Sequence, residues 1–369
     1  MTAIATPQRT ATMTGRQRVN RMLERQDHDR VPRFDSYWGE TIARWASEGM
    51  VGGYEAALEL LEIDFQGIGW IWPAPFPGNN ELVSEDELTR VTRDSHGKTV
   101  RYWKHKSGTP EHIAFGCDSR EIWEKQYKPA LLKNWMQVDL NSAKQAAAKA
   151  HATGRWPFFS GVESFEQTRA LMGDEATLMA MAEDPEWVAD VSRTYCDVMI
   201  QNWQHLWDAG LRIDGVWCYG DMAFRSATMC SPAMYKELIW PDHKRLADWA
   251  HQHNAKFIYH TDGDVTGVID LYLQAGFDCI QPMESKAGMD VRKLSPKYGT
   301  RLSFFGNIDV MVMATNDREK IEEEIRTKFA AGMANKGYAY HSDHSVPPLT
   351  SWETYQFIID RVKHYGWYE

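Results

Sequence analysis

The sequence predicts an α/β protein of the (β/α)8, or TIM-barrel, class, and three observations carry that expectation. Short apolar or β-branched runs alternate with longer amphipathic stretches, the pattern of βα units around a parallel sheet. Eight such runs can be counted. Polar residues able to do chemistry collect just after the runs, where the βα loops of a barrel converge. With insertions, a barrel reaches 369 residues as one domain.

Taken in order, residues 1–13 read as a loose polar tail and 14–369 as one barrel domain. Thr14 has the position and chemistry of an N-cap for a helix running to about residue 24, which the segment 27–32 breaks. The candidate strands are 31–37, 66–72, 157–162, 215–219, 256–259, 279–282, 302–306 and 338–341. Helical spacing of apolar residues marks 186–209, 232–253, 265–274, 318–331 and 351–364. Residues 79–129, between the second and third strands, form an excursion expected to cover part of the barrel mouth. Within it, 89–104 alternates like an antiparallel hairpin with Gly97 near its turn. Residues 128–146 lack the Pro/Gly/Ser richness of a linker, which keeps the reading at one domain.

Composition narrows the function classes. The 43% hydrophobic and 25% charged content is that of a globular chain with a full core. A formal charge of −10, with Lys and Arg scattered, argues against a nucleic-acid partner. No run approaches the roughly 18 apolar residues of a membrane span, and the polar N-terminus lacks a signal-peptide core, so a cytoplasmic location is expected. Five well-separated cysteines without a Cys-x-x-Cys pair read as reduced thiols. Sixteen Trp against 14 Phe suit a bulky core or an aromatic-lined pocket. Neither a nucleotide-binding glycine motif nor a GxSxG elbow is present.

The candidate site is read from the strand ends. Asp35 and Trp38 follow the first strand, Glu163 the third, Asp221 the fourth, His260 and Asp262 the fifth, Glu284 the sixth, Asn307 and Asp309 the seventh, and His341, Asp343 and His344 the eighth. Imidazole and carboxylate groups such as His260, Asp262 and His344 suit a divalent metal with an open position, or else hydrogen-bond a substrate or cap a strand. Asp221 and Glu163 read as further ligands or general bases, or as acids stabilising the helices that follow them. The Trp70 to Pro77 run is a rigid aromatic wall for a flat substrate or a loop packed on the rim.

As a set, Arg16-Gln17-Arg18-Val19, Asp29-Arg30-Val31-Pro32, Ser231-Pro232, His260-x-Asp262-Gly263, Gly306-Asn307-Ile308-Asp309 and Val346-Pro347-Pro348 resemble the uroporphyrinogen decarboxylase superfamily over nearly the whole chain. The resemblance implies a cytosolic barrel, and it leans to the methyltransferases that work with corrinoid proteins. Those enzymes hold zinc with a His-x-Cys motif and a later Cys before a Pro-containing turn, positions at which this sequence has His260, Asp262 and His344. Loss of both thiolates puts a thiol acceptor in doubt and favours a pterin acceptor or an oxygen substrate. The porphyrinogen decarboxylases themselves carry an Arg-rich segment where this chain has Pro32-Arg33-Phe34-Asp35-Ser36-Tyr37-Trp38, which argues against a substrate rich in carboxylates.

The resulting expectation is a methyltransferase-like enzyme acting on a methoxylated or methylated small molecule. His260, Asp262 and His344 would hold a divalent metal, zinc first, with a corrinoid or pterin as carrier and a corrinoid protein as partner. Asp221, Glu163, His341 and Asp343 are the expected catalytic groups, and Arg33, Trp38, Trp70, Trp72 and Asn307 the expected substrate contacts. The alternatives are a carboxy-lyase, with Arg33 or Arg225 on the substrate carboxylate and His260 or His344 delivering the proton, and a binding barrel without chemistry. A homodimer is compatible with either enzyme.

Overall fold

The computed structural model describes residues 9–105 and 108–369. Of the expected N-terminal tail, residues 1–8 lie outside the described residues, while the Thr12 and Met13 amides donate to the Asp29 carboxylate at 2.8 and 3.0 Å. The strands in chain order are β1 (Phe65–Ile71), β2 (Glu81–Glu85), β3 (Thr89–Arg93), β4 (Thr99–Trp103), β5 (Glu111–Ala114), β6 (Trp156–Val162), β7 (Gly215–Tyr219), β8 (Ala223–Phe224), β9 (Ala227–Thr228), β10 (Lys256–Thr261), β11 (Cys279–Pro282), β12 (Ser303–Phe305) and β13 (Tyr338–Ala339). No described helix is long and apolar enough to cross a membrane.

The described residues gather into two compact units, one holding those up to Gln66 together with Lys149–Pro157 and Asp278–Glu369, the other those of Gly67–Ala148 and Phe158–Phe277. In the first unit β11, β12 and β13 run parallel. The expected strand over 31–37 lies beside the end of β13 as isolated parallel bridges, Arg33 to Tyr340 and Tyr37 to Val346. Pro32 explains part of the interruption: it has no N–H to give, and its carbonyl accepts from Tyr340 at 2.8 Å. The first helix, Gly15–Leu23, opens with a capping box in which Thr14 and Gln17 satisfy each other's backbone.

A buried ion network ties this unit's N-terminal segment to its strands. Arg18 meets Asp29 at 2.6 Å and Asp64 at 2.5 Å, and Arg30 meets the second Asp64 oxygen at 2.7 Å. That oxygen also accepts the Arg33 amide at 2.9 Å. The Arg33 side chain, expected to bind substrate, is instead buried against Glu62 at 3.0 Å. Burial and the neighbouring Arg30 push its guanidinium down to about 9, still charged at neutral pH.

In the second unit β6, β7 and β10 run parallel, with β1 beside β6. The excursion contains β2 to β5 as one antiparallel sheet, β3 and β4 pairing from Thr89–Trp103 to Arg93–Thr99. The single helix expected over 232–253 is two, Pro232–Leu238 and Trp240–Gln252, because Pro241 in the first turn of the second cannot continue the first helix's hydrogen bonding.

Replacing Asp64 with Asn leaves two buried guanidinium groups without their shared carboxylate, and denaturant unfolding is expected to show a loss of about 3–5 kcal/mol. Burial alone would raise the Asp29 carboxyl, but the Arg18 hydrogen bond and charge hold it well below its usual range. The unfolded chain therefore takes up this proton first, at about pH 3.9. The Asp29 contribution is complete above about pH 5, falls as pH drops through 4, and should be missing from the acid-unfolding profile of Asp29→Asn.

Candidate functional site

Parallel pairing of β7 with β10 places His260 opposite Tyr219, so the two strands end at the same level. Asp221 lies two residues beyond β7 and Asp262 one beyond β10, which brings three polar side chains to one point. His260 Nε2 is 4.0 Å from Asp221 Oδ1, and the Asp262 amide donates to that oxygen at 2.9 Å. One ligand atom from each of Asp221, His260 and Asp262 lies within 4.8 Å of the others, all three residues half-buried. Gly263, at φ +82°, turns the chain away: a Cβ there would stand 2.5 Å from the Ala223 carbonyl oxygen.

Helix Ser164–Met172 holds the turn that carries Asp221. Glu163, completely buried, caps this helix by accepting the Phe165 and Glu166 amides at 2.6 and 2.8 Å. His243 Nε2 donates to the same carboxylate at 2.9 Å, and the Tyr235 hydroxyl lies 2.9 Å from His243 Nδ1. The Glu163 carboxylate is thus fully committed and is a positioning group, correcting its expected role as general base. Gly220 packs against it so tightly that a Cβ would sit 2.1 Å from Oε1.

One turn on, Glu166 accepts the Asp221 amide at 3.2 Å, and Arg169 donates to the Asp221 carbonyl at 2.7 Å. These two helix residues pair at 2.6 Å. Burial pushes the Glu166 carboxyl up to about 7, the charges of Asp221 and Glu163 adding to the rise against the pull of Arg169. Neither residue figured in the sequence expectation. Their spacing of three and six from Glu163, on one helix face, was the available signal.

Aromatic rings adjoin the cluster. Tyr219 stacks on Trp217 at 5.4 Å, lies 4.8 Å from the His260 ring, and receives the half-exposed Trp70 edge-on at 5.1 Å. Burial raises the thiols of Cys117, to about 12, and of Cys196, Cys218, Cys230 and Cys279, so none is a ready thiolate ligand.

The remaining predicted residues belong to the first unit. His344 Nδ1 lies 3.7 Å from Asp343, whose buried carboxylate also accepts the Ser285 and Val310 amides at 3.0 and 2.9 Å. Burial alone would raise that carboxyl, but the nearby His344 imidazole first, and then the two amides, hold it below its ordinary value. Asp343 therefore anchors two loops. His341 packs against Phe34 and Phe305, ring centres 5.9 and 5.6 Å away. Asp35, also fully buried, receives the Tyr340 and Tyr355 hydroxyls at 3.0 Å each, together with Ser342. Asn307 is spent on structure: it accepts the Val291 amide at 2.9 Å and donates to the Met283 and Met289 carbonyls, so its expected substrate contact is corrected. Trp38 stands exposed before helix Gly39–Ser47, and Trp72 is half-exposed beside His96.

Against known proteins, the family model described as uroporphyrinogen decarboxylase (URO-D) matches residues 148–365. No curated protein matches the chain in sequence. A solved methyltransferase from Methanosarcina mazei superposes with TM-score 0.65 at 13% identity, over 95% of this chain and 99% of that one. A chitinase from Chromobacterium violaceum ATCC 12472 aligns over 90% of this chain and 99% of its own, with TM-score 0.38 and 7% identity. The first likeness, at that identity, shows a shared fold.

The Gly220 contact gives a direct test of the support beneath Asp221. Gly220→Ala should destabilise the protein by about 1–3 kcal/mol in urea titration, since either the turn or the Glu163 carboxylate must move. Gly39→Ala, where nothing lies within 4 Å of the added carbon, should change stability little.

Proposed function

Because this chain belongs to the uroporphyrinogen decarboxylase family, we propose that it is a metal-dependent methyltransferase that takes a methyl group from a small methoxylated or methylated compound and passes it to a corrinoid protein partner. The observation that carries this reading is the convergence of Asp221, His260 and Asp262 at the ends of two adjacent strands. The fold shared with a methyltransferase supports the reaction class.

One imidazole and two carboxylates are a hard to borderline donor set that fits zinc, manganese, iron or cobalt, and three protein ligands leave a position open. When bound, such an ion supplies Lewis-acid polarisation of a substrate oxygen. The chain's own residues do the rest. Glu166 and Arg169 fix the Asp221 backbone, and with it the carboxylate that faces His260. Trp70 and Tyr219 offer apolar surface beside His260 to a methylated group. With no thiolate in the set, the oxygen of a methyl ether is a better-matched substrate atom than a thiol.

A second reading, a carboxy-lyase, is favoured by one feature. The Glu166 carboxyl, raised to about 7, keeps a proton near neutral pH that could be delivered to carbon after loss of carbon dioxide. A lyase would turn over alone and release carbon dioxide, whereas a methyltransferase requires a corrinoid acceptor.

Elemental analysis and metal titration of the purified protein test the metal. Wild type should carry near-stoichiometric metal, and His260→Ala or Asp221→Ala should weaken binding by at least about 100-fold, since even groups that merely support ligands cost 10–100-fold. His344→Ala, measured alongside, asks whether a further ligand comes from outside this cluster. A wild type that takes up no zinc, manganese, iron or cobalt on reconstitution would refute the metal reading.

A further inference from the structure

His243, on the helix Trp240–Gln252, is not a member of the metal cluster, yet two separate chains of contact lead from it to the turn that carries Asp221. The first runs through Glu163. His243 Nε2 lies 2.9 Å from Glu163 Oε2, and three atoms of the Glu163 side chain would stand within 2.6 Å of a Cβ at position 220. The second runs through Tyr259. The His243 and Tyr259 rings pack with centres 5.0 Å apart, and the Tyr259 hydroxyl donates to the Gly220 carbonyl at 2.8 Å.

Tyr259 immediately precedes His260 on β10, so the alternation of side chains along the strand sends the two to opposite faces. One strand thus supplies a candidate ligand on one side and a brace for its neighbour on the other. The Gly220 amide donates to the His260 carbonyl at 3.0 Å, which leaves the peptide held at its amide by β10, at its carbonyl by Tyr259 and at its α-carbon by Glu163. Two of these three supports lean on His243.

The imidazole is itself fixed in place. It is 1% exposed, with the Tyr235 hydroxyl 2.9 Å from Nδ1 and the Phe277 ring centre 5.7 Å away. The adjacent Asp242 reaches Glu163 by a longer way: Ser192 Oγ donates to it at 2.8 Å and lies 3.1 Å from Ser164 Oγ, which is 3.4 Å from Glu163 Oε2. All of these groups are buried, so they act on the site by geometry and not by touching a substrate.

We propose that His243 is a positioning residue of the metal cluster: through Glu163 and Tyr259 it fixes the Gly220 peptide, and with it the direction in which the Asp221 carboxylate faces His260. This inference rests on the reading of Asp221, His260 and Asp262 as metal ligands. A histidine that merely filled the core would affect stability and leave metal binding as it is.

Cobalt(II) titration of the intact protein, followed by visible absorption, reads affinity and ligand geometry together. His243→Leu should weaken cobalt binding by at least about 10-fold, the lower end of the range for groups that orient ligands, and shift the absorption bands. His243→Gln, which restores a hydrogen-bonding group near the Nε2 position, should recover part of the affinity. Tyr259→Phe, which removes one hydroxyl and keeps the ring, should shift the bands in the same sense by a smaller amount. Trp249→Phe, on the same helix, should lower the thermal midpoint with affinity and spectrum unchanged, which separates lost stability from lost positioning. Circular dichroism establishes that each variant is folded; if His243→Leu is not, Tyr259→Phe and His243→Gln decide. Wild-type affinity and bands in the His243 and Tyr259 variants, or equal changes in Trp249→Phe, overturn the role of His243 alone. A wild type that takes up no cobalt sinks the metal reading, and this inference with it.

Discussion

The candidate site depends on the register between β7 and β10. With His260 opposite Tyr219, the chain leaves both strands at one level, and Asp221 and Asp262, 41 residues apart in sequence, come within a hydrogen bond of each other. Side chains alternate along a strand, so a slip of one residue would turn His260 to the other face and separate the three groups. The register is held by apolar burial: Val216, Trp217 and Cys218 on one strand and Phe257, Ile258 and Tyr259 on the other are all nearly or fully buried.

Holding two carboxylates side by side is unfavourable unless their surroundings compensate. Here the Asp262 amide donates to Asp221, and Arg169 grips the Asp221 carbonyl while paired with Glu166. Beneath them the buried Glu163 carboxylate spends its lone pairs on helix amides and His243, which makes a rigid floor on which only a glycine fits at position 220. Three acids at neighbouring positions therefore have different tasks, decided by their donors: Glu163 supports, Glu166 keeps a proton near neutrality, and Asp221 faces His260.

The first unit follows the same economy with different members. Asp64 joins two arginines, Asp35 gathers two tyrosines and a serine, and Asp343 ties two loop amides. Asp35 and Asp343 are polar strand-end residues of the kind that reads as catalytic in a list of strand ends, whereas Asp64 stands just before β1. Their hydrogen bonds show them to be joints of the scaffold.

The sequence by itself determined the βα alternation, the place of most strands to within a residue or two, and His260, Asp262 and Asp221 as strand-end candidates, because hydrophobic periodicity and local turn chemistry are written in adjacent residues. It also carried the family resemblance. Only the tertiary structure decided which polar groups are committed: Glu163 and Asn307 look as available as Asp221 in the sequence, but the Glu163 carboxylate also meets His243, 80 positions on, and Asn307 bonds to residues 16 to 24 positions away. Glu166 and Arg169 escaped notice because a helix face of ordinary charged residues carries no mark of what it will touch.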